Sequence, residues 1–125
     1  MSGRRWLRPG RARTRADAPD PRLRTRCYAV AFREGWSEVE TLVERFPRWT
    51  STGSDARSGE LRAEAQTRVC RFTDDVTVRV HLDDGGLTCV DVESASRIGW
   101  YDFGTNARRI RGFLRRLDQQ LDGRG

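Results

Sequence analysis

Lysine is absent from this chain of 125 residues, and all 24 basic residues are arginine. Without lysine, the protein cannot form a Schiff base, supply the lysine of a phosphate-binding loop or use a serine–lysine catalytic pair. The arginines occur along the whole chain, which is more typical of a GC-rich genome than of one local anion-binding site.

Histidine and cysteine are also scarce. The chain has one histidine, His81, and three cysteines, Cys27, Cys70 and Cys89, with no CxxC spacing among them. An odd, sparse set of cysteines predicts neither a disulfide framework nor a zinc site, and we expect small buried thiols. His81 falls on the polar face of a predicted strand, so we expect an exposed side chain. No metal or cofactor is expected.

Long apolar runs are missing as well. No segment approaches the ~18 apolar residues of a membrane span. The first 26 residues lack the apolar segment of a secretory signal. We therefore expect a cytoplasmic protein, with peripheral attachment to a membrane as an alternative.

Positive charge is concentrated at the start of the chain. Residues 1–26 contain nine arginines and two aspartates, whereas the remaining residues contain 15 arginines and 16 acidic residues. Pro9, Pro19 and Pro21 would interrupt a long helix there. The sequence predicts a disordered, arginine-rich arm over residues 1–26, able to make weak contact with an anionic membrane or nucleic acid, and a single domain over residues 27–125.

Hydrophobic spacing predicts two helices and five strands in the domain. A Ser-x-x-Glu capping box at Ser37 and Glu40 predicts the start of the first helix, and Pro47 its end. Apolar residues spaced 3 and 4 apart from Ala107 to Leu121 predict the last helix. Alternating residues predict strands, with an Asp-Asp-Gly-Gly hairpin turn between the last two, over residues 27–33, 48–53, 61–69, 76–82 and 87–94.

This order, β-α-β-β-β-β-α, predicts the α+β class. Consecutive antiparallel strands form a sheet whose apolar face must be covered, and two amphipathic helices can cover it. We therefore expect an antiparallel sheet of about five strands under two helices, similar to the helix-grip and TATA-binding-like folds.

The segment between the last strand and the last helix has the most unusual composition, SASRIGWYDFGTNARRI over residues 94–110. It enters a helix N-terminus, where unpaired N–H groups and the helix dipole favour anions. Gly99 and Gly104 permit unusual backbone conformations, and Asp102 or Thr105 could cap the helix.

The same segment resembles the signature of the DUF1499 family, a domain of unknown function. Phe72, Asp74, Asp75 and Val76 fit the family's Phe-x-Asp-Asp-Val motif. The family's second motif is fitted by Ser94, Ser96, Arg97, Gly99, Asp102, Gly104, Asn106 and Arg109. Glu93 is a departure, because the family usually has arginine there. The resemblance implies the fold and a bacterial or plastid origin, and little about chemistry.

Two interpretations of the signature are open. In the first it is a structural lock, in which Asp74 or Asp75 pairs with Arg97 or Arg109 and Asn106 ties the loop to the strand. In the second it is a pocket for a small polar or anionic ligand. The candidate binding residues are Asp75, Ser94, Ser96, Arg97, Asp102, Asn106 and Arg109.

Three functions follow from these features. The leading hypothesis is a non-catalytic binding or scaffold module that recognises a small polar ligand, a lipid headgroup or a partner protein through residues 94–109. An enzyme would need Ser94 or Ser96 to act with Asp75, without the GxSxG motif that exposes a serine nucleophile. The third hypothesis assigns the function to the basic arm.

Overall fold

The computed structural model describes residues 10–68, 71–97 and 104–122. Two helices and a six-stranded antiparallel sheet form an α+β fold, which confirms the predicted class. The strand order is β1-β6-β5-β4-β3, and β2 also pairs with β6. In chain order the elements are β1 (Arg11–Arg13), a short 3-10 helix (Pro21–Leu23), β2 (Arg26–Tyr28), α1 (Phe32–Arg45), β3 (Trp49–Asp55), β4 (Glu60–Gln66), β5 (Thr73–Leu82), β6 (Thr88–Ser96) and α2 (Thr105–Asp122).

The sheet has an inner face covered by the helices and an outer face that Thr14 and Thr25 cover in part, beside β6. On β5, Val76, Val78 and Val80 are buried, and on β6 Val90 and Val92 are buried, so even-numbered residues of both strands point inward. Odd-numbered residues then point outward, because side chains alternate along a strand.

Both helices pack their apolar stripes on the inner face. Trp49 of β3 stacks on Phe113 of α2 with ring centroids 5.0 Å apart, which joins the sheet to the second helix. The core residues contributed by the helices share a spacing of three and four, and they are Trp36, Val39, Leu42, Val43, Ile110, Phe113, Leu114, Leu117 and Leu121.

The start of α1 corrects two predictions. Helix α1 begins at Phe32, not at Ser37, and the predicted strand over residues 27–33 is reduced to β2. Phe32 and Trp36 are four residues apart and stack with ring centroids 6.1 Å apart. Phe32 therefore belongs to the helical stripe, and Ser37 is an exposed residue within the helix.

The N-terminal segment also differs from its prediction. A disordered arm over residues 1–26 is wrong for residues 10–26, since β1 pairs with residues 93–95 of β6 and β2 with residues 88–90. Thr14 and Ala18 between these strands are buried. The two short strands share one edge of the sheet because both pair with β6, so this segment belongs to the domain. Residues 1–9 lie outside the described residues.

A disulfide joins Cys27 of β2 to Cys89 of β6, so the prediction of free thiols is wrong for these two residues. They are direct partners in the antiparallel ladder, with Cα atoms 4.0 Å apart. The sequence separation of 62 residues hid this proximity, because the predicted strand over residues 27–33 did not reveal its pairing with β6. Cys70 lies outside the described residues.

The predicted hairpin between β5 and β6 is confirmed. Asp83 starts the turn, and its Oδ1 accepts hydrogen bonds from the backbone N–H groups of Gly85 and Leu87. Gly86 has a φ of 85°, a conformation that favours glycine. No helix within the described ranges has both the length and the apolar character needed to cross a membrane.

Candidate functional site

The predicted site residues are divided between the two faces of the sheet. Asp74 and Ser94 are buried on the inner face, and Ser96 lies opposite Asp74 in the β5–β6 ladder. Asp75 and Arg97 are exposed on the outer face. Adjacent residues of one strand point to opposite faces, so the two aspartates take part in different interactions.

The inner-face residues form a buried network, defined as Asp74, Ser94, Ser96, Asn106 and Arg109. The Arg109 guanidinium Nη1 lies 2.7 Å from Asp74 Oδ2, and it donates to Ser94 Oγ at 3.1 Å and to Asn106 Oδ1 at 2.8 Å. Only 9% of the Arg109 side chain and 2% of the Asp74 side chain are exposed. Their opposite charges are paired away from water.

Asn106 connects three parts of the chain at this point. Its Oδ1 accepts a hydrogen bond from Ser94 Oγ at 2.6 Å. Its Nδ2 donates to Ser96 Oγ at 3.0 Å and to the backbone carbonyl of Gly10 at 3.0 Å. A single buried amide therefore joins the first turn of α2 to β6 and to the residue before β1.

The polar atoms of the buried network bond to one another. Throughout residues 10–68, 71–97 and 104–122, every buried side-chain nitrogen or oxygen has a hydrogen-bond partner. Because removing one partner of a buried ion pair typically costs about 3 to 5 kcal/mol, such a network stabilises the fold strongly as a unit. This geometry matches the structural-lock interpretation, with Asp74 and Arg109 as the pair.

A second cluster, the Arg97 cluster, lies on the outer face and consists of Glu64, Asp75 and Arg97. The Arg97 Nη2 lies 2.8 Å from Asp75 Oδ1 and 2.7 Å from Glu64 Oε2. The hydrogen bonds that Arg97 donates to Asp75, and then to Glu64, raise the pKa of Arg97 above its ordinary value. About half of the Arg97 side chain, 48%, is exposed. The cluster is open to solvent.

Other residues singled out in the sequence include Gly99, Asp102, Gly104 and Glu93. Asp102, proposed as a binding residue and a helix cap, lies outside the described residues, as does Gly99. Gly104 has a φ of 77°, as its predicted unusual conformation requires. Glu93, the departure from the signature, points to the outer face and forms an ion pair with Arg11 of β1.

Comparison with protein families shows which family the chain belongs to. The DUF1499 family, described as proteins of unknown function, matches residues 8–117. The chain belongs to the DUF1499 family. The match includes β1 and β2, so these edge strands are part of the DUF1499 domain. No protein with a curated function matches the chain.

The outer face of this DUF1499 domain carries a third polar cluster that the sequence analysis missed. Thr14 Oγ1 and Thr25 Oγ1 each donate to Asp91 Oδ1 at 2.6 Å, and His81 Nε2 lies 3.0 Å from Asp91 Oδ2. Burial raises the pKa of Asp91, but the hydrogen bonds from Thr14, Thr25 and His81 outweigh it and leave the pKa below its ordinary value. The predicted placement of His81 on the polar face is confirmed, although Asp91 is its partner.

These residues line a groove of about 580 Å³ on the outer face, here named the cysteine groove. The Cys27–Cys89 disulfide lines it together with Arg13, Arg15 and Arg79. Cys89 alternates with the inward-pointing Val90 and therefore shares a face with His81 and Asp91, a signal present in the sequence. The other wall comes from the N-terminal segment, whose attachment to the sheet gave no comparable signal.

Proposed function

We propose that this DUF1499 domain is a non-catalytic binding module that contacts a partner protein through the Arg97 cluster. The observation that carries the proposal is the division of the signature between the two faces of the sheet. The inner-face residues are bonded to one another, whereas Arg97 and Asp75 are exposed beside them. The buried network would then hold the end of the sheet rigid, and the exposed cluster would make the contact.

The arrangement of the signature does not favour catalysis by its serines. Ser94 is fully buried and donates its hydroxyl hydrogen to Asn106. Asp75 points to the opposite face of the sheet, so it cannot act as a base for Ser94. Ser96 is on the same inner face as Ser94 and accepts a hydrogen bond from Asn106. The serine–aspartate pair required by the enzyme hypothesis is therefore not assembled.

The chemistry of the Arg97 cluster favours a protein surface over a free anion. Two carboxylates already bind the Arg97 guanidinium, and they would repel a phosphate or carboxylate ligand. Phe72, with 47% of its surface exposed, precedes Thr73, whose carbonyl accepts a hydrogen bond from the Arg97 backbone N–H. Phe72 is therefore an exposed aromatic residue one position from the backbone group that bonds Arg97, and aromatic residues and arginine are enriched at protein interfaces.

Photo-crosslinking in cells tests this proposal. A benzophenone amino acid replaces Phe72 in the full chain, the cells are irradiated, and adducts are resolved by mass. We expect discrete adducts of higher mass that disappear when Arg97→Ala is added. The control is Arg79→Ala, which removes another exposed arginine from the outer face of β5 and should leave the adducts unchanged.

Two outcomes would contradict the proposal. The first is the absence of any discrete adduct, and the second is a set of adducts that Arg97→Ala and Arg79→Ala reduce equally. Native mass spectrometry of the full chain is a companion measurement. An additional small mass that is lost on denaturation and absent from Arg109→Lys would instead favour the ligand-pocket interpretation.

A further inference from the structure

The cysteine groove brings together three groups of the kinds that bind Zn²⁺ in proteins, two cysteine sulfurs and one carboxylate. The two sulfur atoms of Cys27 and Cys89 and a carboxylate oxygen of Asp83 all lie within 4.8 Å of one another. They come from three separate segments, β2, β6 and the turn before β6. In a tetrahedral zinc site, Zn–S distances of about 2.3 Å and Zn–O distances of about 2.0 to 2.2 Å place the ligand atoms roughly 3.5 to 3.8 Å apart, which falls inside this limit.

We propose that reduction of the Cys27–Cys89 disulfide creates a zinc site formed by Cys27, Cys89 and Asp83. Zn²⁺ binds thiolates, and the disulfide has none, so the disulfide and the zinc site exclude each other. The oxidised form is cross-linked and metal-free, and the reduced form holds Zn²⁺ at the same place. This site is independent of the partner contact proposed for the Arg97 cluster.

The conversion is balanced as a two-electron reduction followed by proton release. A dithiol reductant supplies two electrons and two protons, the Sγ–Sγ bond breaks, and the reductant becomes a disulfide. Two thiols remain on the protein. Zn²⁺ then replaces both thiol protons, which pass to solvent as two Zn–S bonds form.

The groove supports such a site in three ways. Cys27 is exposed, so a reductant and a metal ion can reach it. Asp83 uses Oδ1 to hold the turn, which orients its carboxylate beside the sulfur atoms. Arg13 and Arg79 also line the groove, and their positive charges offset the excess negative charge of two thiolates and a carboxylate on one divalent ion.

Cobalt titration of the full chain provides the test. The chain carries Cys70→Ser, so Cys27 and Cys89 are its only thiols, and it is reduced with a trialkylphosphine in the absence of oxygen. We expect one equivalent of Co²⁺ to produce thiolate-to-cobalt charge-transfer absorption, which Zn²⁺ then abolishes by displacement. The unreduced chain should show no such absorption.

Variants separate this site from general thiol binding. Cys89→Ser should weaken Co²⁺ binding more than about 100-fold, because losing even a partner of a metal ligand costs about 10- to 100-fold. Asp83→Asn keeps the oxygen that holds the turn and should weaken binding at least about tenfold. Asp84→Asn, the matched control at the next position, should leave the affinity unchanged. Far-UV circular dichroism of every reduced variant verifies the fold.

Three results would overturn the proposal. One is a reduced, folded chain that shows no charge-transfer absorption with Co²⁺. Another is equal absorption before and after reduction. The last is equal affinity in Asp83→Asn and Asp84→Asn, which would remove Asp83 from the site.

Discussion

At the scale of single residues, two adjacent aspartates have different surroundings on the two faces of the sheet. Asp74 is buried against Arg109, and Asp75 is exposed against Arg97 and Glu64. The alternation of Val76 and Val78 places Asp74 on the buried face, but the predicted strand began at residue 76, so the choice between the two aspartates stayed open. The identity of its partner was not predictable, because that depends on where the first turn of α2 packs on the inner face.

Asp91 gives a prediction about pH. Its pKa is below its ordinary value in the folded state, because the hydrogen bonds from Thr14, Thr25 and His81 outweigh the effect of burial. The unfolded chain therefore binds a proton more readily than the folded one. The ionised carboxylate stabilises the fold above the ordinary pKa of about 3.9, and this contribution is lost as the pH falls through the lower folded value.

Asp91→Asn cannot ionise, so the variant should lose less stability than the wild type when the pH is lowered from about 5 to about 2. The measurement is the free energy of unfolding in urea at several pH values. Asp84→Asn serves as the control, since Asp84 is an exposed turn residue. Identical acid dependence in Asp91→Asn and the wild type would contradict this role of Asp91.

At the scale of elements, the first turn of helix α1 lies unusually close to the start of β6. A Cβ atom on Gly35 of α1 would lie 2.7 Å from Cγ2 of Thr88, a buried side chain whose hydroxyl is bonded to the carbonyl of Val30. The close approach needs the early start of α1, which sequence patterns did not predict because Tyr28, Val30 and Phe32 also fit the alternation of a strand. The strands β4 to β6 were predictable because their alternation was long and bounded by turn residues.

Alanine substitutions at two helical glycines test this close packing. Gly35→Ala should lower the free energy of unfolding by about 1 to 3 kcal/mol, because Thr88 is too constrained to move away. Gly112→Ala in α2 is the matched substitution, since its Cβ would meet nothing within 4 Å. It should raise the free energy of unfolding by about 0.5 to 1 kcal/mol through helix propensity. Guanidinium chloride unfolding measures both, and stabilisation by Gly35→Ala would contradict the close approach.

At the scale of the whole molecule, the N-terminal segment is joined to the domain at several points. Asn106 donates a hydrogen bond to the Gly10 carbonyl, and the Arg26 guanidinium forms an ion pair with Asp118 of α2 at 3.1 Å. The Cys27–Cys89 disulfide links β2 to β6 across 62 residues of sequence. In the chain-entropy model, such a cross-link raises the free energy of unfolding by about 4 kcal/mol. Composition alone predicted a separate arm, because arginine and proline content does not reveal ion pairs with distant acids.

The central claim is that the buried network maintains the fold while the Arg97 cluster is available for contact. The measurement that tests it most directly is the free energy of unfolding of Arg109→Ala compared with that of Arg97→Ala, by guanidinium chloride titration of the full chain. Arg109→Ala should lose about 3 to 5 kcal/mol because it leaves Asp74 buried without a partner, whereas Arg97→Ala should unfold at the wild-type denaturant concentration. An Arg109→Ala variant as stable as the wild type would contradict the claim.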